Sequence, residues 1–279
     1  MRIRRRRGQC LVKVNLAYSP ARVTSLADEL TYDALFGGAV HFWQPARGYR
    51  VNIDSLLLAA FAAQRSPAAT LDLGAGVGAV TLALAHLGAL TRGILVECEP
   101  GLARLAERNL GHAQVEATVL ELDLENAPLP PALKSAIDLV VCNPPFFEPG
   151  RVRPSLHSSA RRARSGHLDP FLSAAAFALS GKRARACFAY PALALEHFLE
   201  RSREQGLVAK RLRFVHADRE QPARLCLIEV RRARPGGLIV EAPLYEWEGR
   251  QIRSKELDAL TAPPKAALER PLSETSDRS

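Results

Sequence analysis

Residues 70–78 read Thr70-Leu-Asp-Leu-Gly-Ala-Gly-Val-Gly78, and the rest of the chain arranges itself around them. A short apolar run breaks into glycines at alternate positions, Gly74, Gly76 and Gly78. An apolar helical pattern then follows at Val80, Leu82, Leu84 and Leu87. This order predicts a buried strand, a tight turn where backbone passes close to a ligand, and a helix. Glycine-rich turns between strand and helix also serve dinucleotides, whose pyrophosphate faces the helix N-terminus. Here the spacing is G-x-G-x-G, and Asp72 lies just before the glycines. An acid at that point suits a ligand with a positively charged amino-acid end better than a pyrophosphate.

Working outward, strands and helices alternate. Gly93 to Glu97 reads as a strand, Pro100 to Leu110 as a helix with proline near its start, and Val115 to Leu122 as a strand ending at Asp123. Ala136 to Cys142 is a further strand. Asp169-Pro170 caps a helix through Leu179, Arg185 to Tyr190 is a strand, and Ala192 to Gln205 is a helix. Leu207 to Val215 and Arg224 to Arg232 read as the final strands. The strands are continuous apolar runs rather than alternating ones, as expected for parallel strands buried on both faces. The pattern is α/β, an open, mostly parallel sheet with helices on both faces. Upstream, residues 34–53 suit short strands and turns, and Asp54-Ser55 is placed to cap a helix over Leu56 to Phe61. The domain is expected over 29–250, with 29–66 as a cap over the ligand site. Residues 1–28 are expected to be a mobile basic arm, with a candidate short strand at Leu11–Leu16. Residues 251–279 are expected to be a disordered tail, rich beyond Pro263 in Pro, Ala, Ser and charge.

Composition narrows the class. The net charge is +9, much of it in arginines of the N-terminus and of residues 151–164, which favours nucleic acid or an acidic surface as partner. The five cysteines are scattered and never form C-x-x-C, so neither a metal site nor a disulfide framework is indicated, and a cytoplasmic location follows. Cys98, Cys142, Cys187 and Cys226 fall in or beside apolar runs and read as core thiols. Residues 73–91 lack Asp, Glu, Lys and Arg but contain four glycines, so the strand–turn–helix reading is preferred to a membrane span. The sequence assigns no oligomeric state.

In a doubly wound sheet, ligands bind beyond the carboxyl ends of the strands. Four features fall there in order. They are the Gly74–Gly78 turn, Glu97 about twenty residues on, Asp123, and Asn143-Pro-Pro-Phe146. An acid at Glu97 can accept hydrogen bonds from both hydroxyls of a ribose, and one at Asp123 from an adenine amino group. In the tetrad two prolines fix φ and remove N–H donors, so the segment cannot extend the sheet. It offers one amide (Asn143), one free carbonyl (Pro144) and, past Pro145, one aromatic face (Phe146). That set fits a flat substrate bearing an NH₂ group.

Leu71-Asp-Leu-Gly-Ala-Gly-Val-Gly78, Glu97, Asp123 and the tetrad resemble the motifs of class I S-adenosylmethionine-dependent methyltransferases of the amino-methylating kind. Gln44-Pro-x-x-Gly-Tyr-Arg-x-x-x-Asp54-Ser-Leu-Leu-Leu, Asn143-Pro-Pro-Phe-Phe-Glu-Pro-Gly150 and Ala163-Arg164 resemble the bacterial tRNA1(Val) adenine-37 N6-methyltransferase family, over roughly residues 31–248. The resemblance implies a Rossmann-like, seven-stranded sheet with an antiparallel last strand. It implies S-adenosylmethionine held by Asp72, Gly74, Ala75, Gly76 and Gly78, with Glu97 on ribose and Asp123 on adenine. Tyr49, Asp54 and Asn143 are expected at the cofactor, and Asn143, with Pro144, Pro145 and Phe146, also around the target base. RNA, with tRNA favoured, is the expected partner, its backbone met by Arg151, Arg153, Arg161, Arg162 and Arg164. Neither metal nor membrane is called for. The fourth tetrad residue is Phe, where Tyr is common among N6-adenine and glutamine methylators and Phe is frequent among ribosomal guanine-N2 enzymes. Guanine-N2 of ribosomal RNA and a glutamine amide of a protein therefore stay open as alternatives, the basic charge counting against the protein.

Overall fold

A computed structural model describes residues 30–48, 50–64, 67–144, 168–249 and 252–262. The chain begins with a hairpin, β1 (Leu30–Leu35) against β2 (Val40–Pro45), which forms its own two-stranded sheet. Helix α1 (Ile53–Ala62) follows, buried over most of its surface. Next come β3 (Thr70–Leu73), α2 (Ala79–His86), β4 (Gly93–Glu97), α3 (Pro100–His112), β5 (Ala117–Glu121) and β6 (Leu139–Cys142). After α4 (Leu168–Ala178) come β7 (Arg185–Pro191), α5 (Leu195–Glu204), β8 (Val208–His216) and β9 (Ala223–Arg231). The last elements are β10 (Ile239–Val240), β11 (Leu244–Tyr245) and α6 (Lys255–Thr261).

The main sheet runs β5-β4-β3-β6-β7-β9-β8-β10, with β11 also beside β8. Only β9 runs against the rest. The order reverses at β3, whose neighbours are β4 and β6, so the crevice of the switch point opens where the glycine turn begins. β3 and β6 are buried along their whole length because both faces are covered. On β6, Leu139 and Val141 join the core under α1, α2, α3 and the hairpin, while Val140 and Cys142 join the core under α4 and α5. Pro100 opens α3 at a position whose N–H would have no helical partner.

The structure departs from the sequence reading in several places. The sheet has nine strands rather than seven, because β10 and β11 extend its β8 edge. Asn52, not Asp54-Ser55, caps α1: its side chain accepts the Asp54 N–H at 3.1 Å, and the helix starts earlier than expected, at Ile53. Part of the supposed tail is α6. Ser254 caps it by accepting the Leu257 N–H at 3.1 Å, and the buried Leu257 side chain anchors it. Cys98 is exposed, whereas Cys142, Cys187 and Cys226 are buried. The arm at 1–28 and the chain beyond 262 lie outside the described residues.

Candidate active site

The glycine turn needs its glycines. Gly74, Gly76 and Gly78 have φ of 67°, 57° and 85°, the left-handed region that a Cβ disfavours. A Cβ on Gly74 would also stand 3.2 Å from the ring of Phe171 on α4. The turn is fastened to β4: the N–H groups of Gly74 and Ala75 both donate to the Val96 carbonyl, at 2.9 and 3.0 Å. Glu97 completes the fastening. Its carboxylate accepts from Gly76 N–H at 2.8 Å and from Glu99 N–H at 2.9 Å, and it is almost fully buried.

Asp72 lies in β3, two residues before the turn. It is buried and accepts from the Thr81 hydroxyl at 2.7 Å and from the Thr81 backbone N–H, which secures the first turn of α2. Burial, aided by the nearby Glu97 charge, pushes its carboxyl up to about 7. A carboxyl raised in the folded state binds more protons there than in the unfolded chain, so its contribution to stability falls as pH rises from near 4 through 7. Asp72→Asn should match the wild type near pH 4. Above pH 7 it should be more stable by up to about 4 kcal/mol in the ligand-free protein. Melting curves at pH 4 and pH 8 measure this; a difference that does not change with pH would mean that Asp72 stays ionised in the fold.

Asp123 follows β5 and closes its own turn, accepting from Glu125 N–H at 3.0 Å and the Asn126 amide at 2.7 Å. On β6, Cys142 pairs with Leu73, so the next residues, Asn143 and Gly74, leave the sheet side by side. Asp72, Glu97, Asp123 and Asn143 thus stand along the carboxyl edge of four adjacent strands, β3, β4, β5 and β6.

The Asn143 amide donates from Nδ2 to Ser55 Oγ at 3.3 Å, and among the described residues its Oδ1 has no hydrogen-bond partner. Ser55 is buried in the first turn of α1. Its neighbour Asp54, expected at the cofactor, is tied to Arg224 on β9 at 2.7 Å and to the Asn52 amide at 3.0 Å. Arg224 in turn holds Glu246, with Nε at 2.9 Å. This ion-pair cluster fixes the start of α1, and with it Ser55. Ser55→Ala should slow turnover about tenfold, the cost of one neutral hydrogen bond, with cofactor affinity unchanged. A single-turnover rate equal to wild type would show that the amide is oriented by other contacts.

Two further structural roles escaped the sequence reading. Asn109 on α3 is fully buried; it accepts from Trp43 N–H at 2.8 Å and donates to the carbonyls of Trp43 and Val77, at 2.9 and 3.0 Å. One side chain thereby joins the hairpin to the glycine turn. Gln44 is likewise buried and accepts from Val51 N–H at 2.8 Å, holding the approach to α1. Pro144 is buried beside Asn143. Tyr49, Pro145, Phe146, Arg151, Arg153, Arg161, Arg162 and Arg164 lie outside the described residues. Among the described residues, no helix is long and apolar enough to cross a membrane, and no group of three or more His, Cys, Asp or Glu is placed to hold a metal.

Residues 50–169 match the model of the methyltransferase small domain. The tRNA1(Val) (adenine(37)-N6)-methyltransferase of Actinobacillus pleuropneumoniae is 30% identical over 183 residues, covering 64% of this chain and 75% of that protein. The release factor glutamine methyltransferase of Mycolicibacterium smegmatis is 40% identical over 102 residues, 36% of each chain. Among solved structures, a protein described as a predicted O-methyltransferase from Agrobacterium tumefaciens superposes with a TM-score of 0.56 at 20% identity. It covers 74% of this chain and 94% of its own. A 16S rRNA guanine-N2 methyltransferase from T. thermophilus superposes with a TM-score of 0.51 at 21% identity, covering 74% of this chain and 50% of its own. Motif order, sheet topology and relatives agree: the chain is an enzyme of the class I S-adenosylmethionine-dependent methyltransferases and belongs to the family of the bacterial tRNA1(Val) adenine-37 N6-methyltransferases.

Proposed function

We propose that this enzyme methylates the exocyclic amino group of an RNA base, adenine N6 of tRNA above all, with S-adenosylmethionine as donor. The observation that carries the reading is the Asn143 amide, held by Ser55 beside the glycine turn, with its oxygen unpartnered among the described residues.

The residues present fit the donor. Three glycines at positive φ hold a turn that other residues would strain, and the carboxylates of Asp72 and Glu97 are buried on the adjacent strands β3 and β4, with Glu97 accepting from the turn at Gly76 N–H. Asp72 and residues 74–78 would hold the amino-acid end, Glu97 the ribose and Asp123 the adenine, with Tyr49 and Asp54 alongside. When bound, S-adenosylmethionine supplies an electrophilic methyl on sulfur.

An aromatic amine is a poor nucleophile because its lone pair is delocalised. Asn143 Oδ1 and the Pro144 carbonyl accept its two N–H bonds and localise that lone pair. Both bonds strengthen as positive charge develops on nitrogen, so they stabilise the transition state more than the ground state. No strong base is needed, since the methylated ammonium is itself acidic and loses its proton to water. Phe146 stacks on a base drawn out of its neighbours' stack. Arg151, Arg153, Arg161, Arg162 and Arg164 meet the RNA backbone. An enzyme acting on tRNA meets it in the cytoplasm.

The test is methyl transfer from labelled donor to separate unmethylated pools of tRNA, ribosomal RNA and protein, with mass analysis of the products. N6-methyladenosine in tRNA is expected. N2-methylguanosine in ribosomal RNA, or methylglutamine in protein, would replace this acceptor with one of its competitors.

A further inference from the structure

The hairpin turns a second surface outward. Side chains of a strand alternate between faces. Leu35, Val40, Phe42 and Gln44 are buried on the inner face, against α2 and α3. The outer face carries Leu30, Tyr32, His41 and Trp43, with Tyr32 49% exposed. Tyr32 stacks on His41, with ring centres 5.1 Å apart, and lies tilted by 39° against Trp43 at 4.6 Å. From α3, His112 presents its edge to Trp43 at 4.9 Å and bonds the Tyr32 hydroxyl at 2.9 Å. The Arg108 guanidinium lies 3.8 Å above the Trp43 ring.

Trp43 packs partly against the core, whereas Tyr32 and His41 are exposed and stand outside it. Beside them opens a cleft of about 520 Å³, lined among others by His41, His86, His112, Gln114 and Glu116. The exposed α3 face next to the rings carries Arg104 and Arg108 against the single acid Glu107. Flat π faces beside a guanidinium, imidazoles and excess positive charge suit an anionic chain that presents unpaired bases. A second copy of this chain would bring like charge to the same place. Asn109 fixes the spacing to the methylation site, since it bonds both Trp43 and Val77 of the glycine turn.

We propose that Tyr32, His41 and Trp43, with Arg108, form a stacking platform for unpaired nucleotides of the substrate RNA, outside the pocket that takes the target base. This rests on the RNA reading above. The experiment uses the full chain and unmodified tRNA, with three variants: Tyr32→Leu, Tyr32→Phe and Tyr32→Leu/His41→Ala. Tyr32→Leu should raise KM for tRNA about 5- to 100-fold, the range for losing one base–aromatic stack, with kcat and donor affinity within about twofold of wild type. The double variant should raise KM at least as far. Tyr32→Phe keeps the ring and loses only the bond to His112, so its KM should stay near wild type; a fold-holding clasp would instead lower the melting temperature in step with KM. Unchanged KM in the leucine variants overturns the platform while RNA methylation by the wild type stands. A wild-type dimer that Tyr32→Leu splits would make the face a contact between copies and overturn it too. Wild-type protein that methylates no RNA removes the reading on which the platform rests.

Discussion

Asn143→Ala should lower the rate of methyl transfer about 100- to 1000-fold while leaving affinity for S-adenosylmethionine within about twofold. The magnitude is that of removing one preorganised group aimed at charge that develops only in the transition state. The split between rate and affinity follows from position. Asn143 leaves β6 beside Gly74, whereas the carboxylates proposed for the donor stand on β3, β4 and beyond β5. Its side chain is bonded to Ser55 on a helix held independently by the Asp54–Arg224 pair. Truncation therefore leaves α1 and the turn in place. Single-turnover rates with calorimetric titration of the donor measure both halves. Turnover equal to wild type would sink the role of Asn143; loss of donor binding would reassign it to the cofactor site.

Glu229→Ala should destabilise the fold by about 3–5 kcal/mol, with a fall in melting temperature of roughly 10 °C. Glu229 on β9 is 1% exposed and pairs with Arg211 at 3.1 Å, with Arg185 at 4.0 Å and with Arg231. Arg211 donates to the Phe61 carbonyl at 2.7 Å and lies over the Phe61 ring, while Arg185 donates to the Ala62 carbonyl at 2.9 Å. These are the last carbonyls of α1, which lack helical partners and carry the negative end of its dipole. Without Glu229, two buried guanidinium groups each lose a buried counter-charge, and Arg211 keeps the less buried Glu241 at 3.0 Å. Glu229→Gln, which keeps an acceptor but no charge, should fall between. Thermal melts decide the matter: an alanine variant within about 2 °C of wild type would show that the α1 terminus is held by packing alone.

Much of this architecture is legible in the sequence because buried parallel strands give unbroken apolar runs, and because the turn after β3 tolerates little but glycine. What escaped depends on distant partners or on very short elements. Asn52, Asp54 and Ser55 are all residues of capping type, and only the fold shows that Asp54 is taken by Arg224, 170 positions away. The Asn143–Ser55 and Asn109–Trp43 bonds span 88 and 66 positions and leave no periodic trace. β10 and β11 pair over two residues each, too few to show alternation. α6 is a charged seven-residue helix whose one buried anchor, Leu257, reads as tail composition until its packing is seen. Cys98 stands outside the core because its strand ends one residue earlier, at Glu97.

The central claim is that the methyl goes to an exocyclic amine. It is tested most directly with tRNA transcribed from adenosine carrying ¹⁵N at the exocyclic amino group, methylated by the enzyme, digested to nucleosides and fragmented by mass spectrometry. A methyl group bonded to the labelled nitrogen is the expected product. A methyl on a ring nitrogen, on carbon or on the ribose would contradict it.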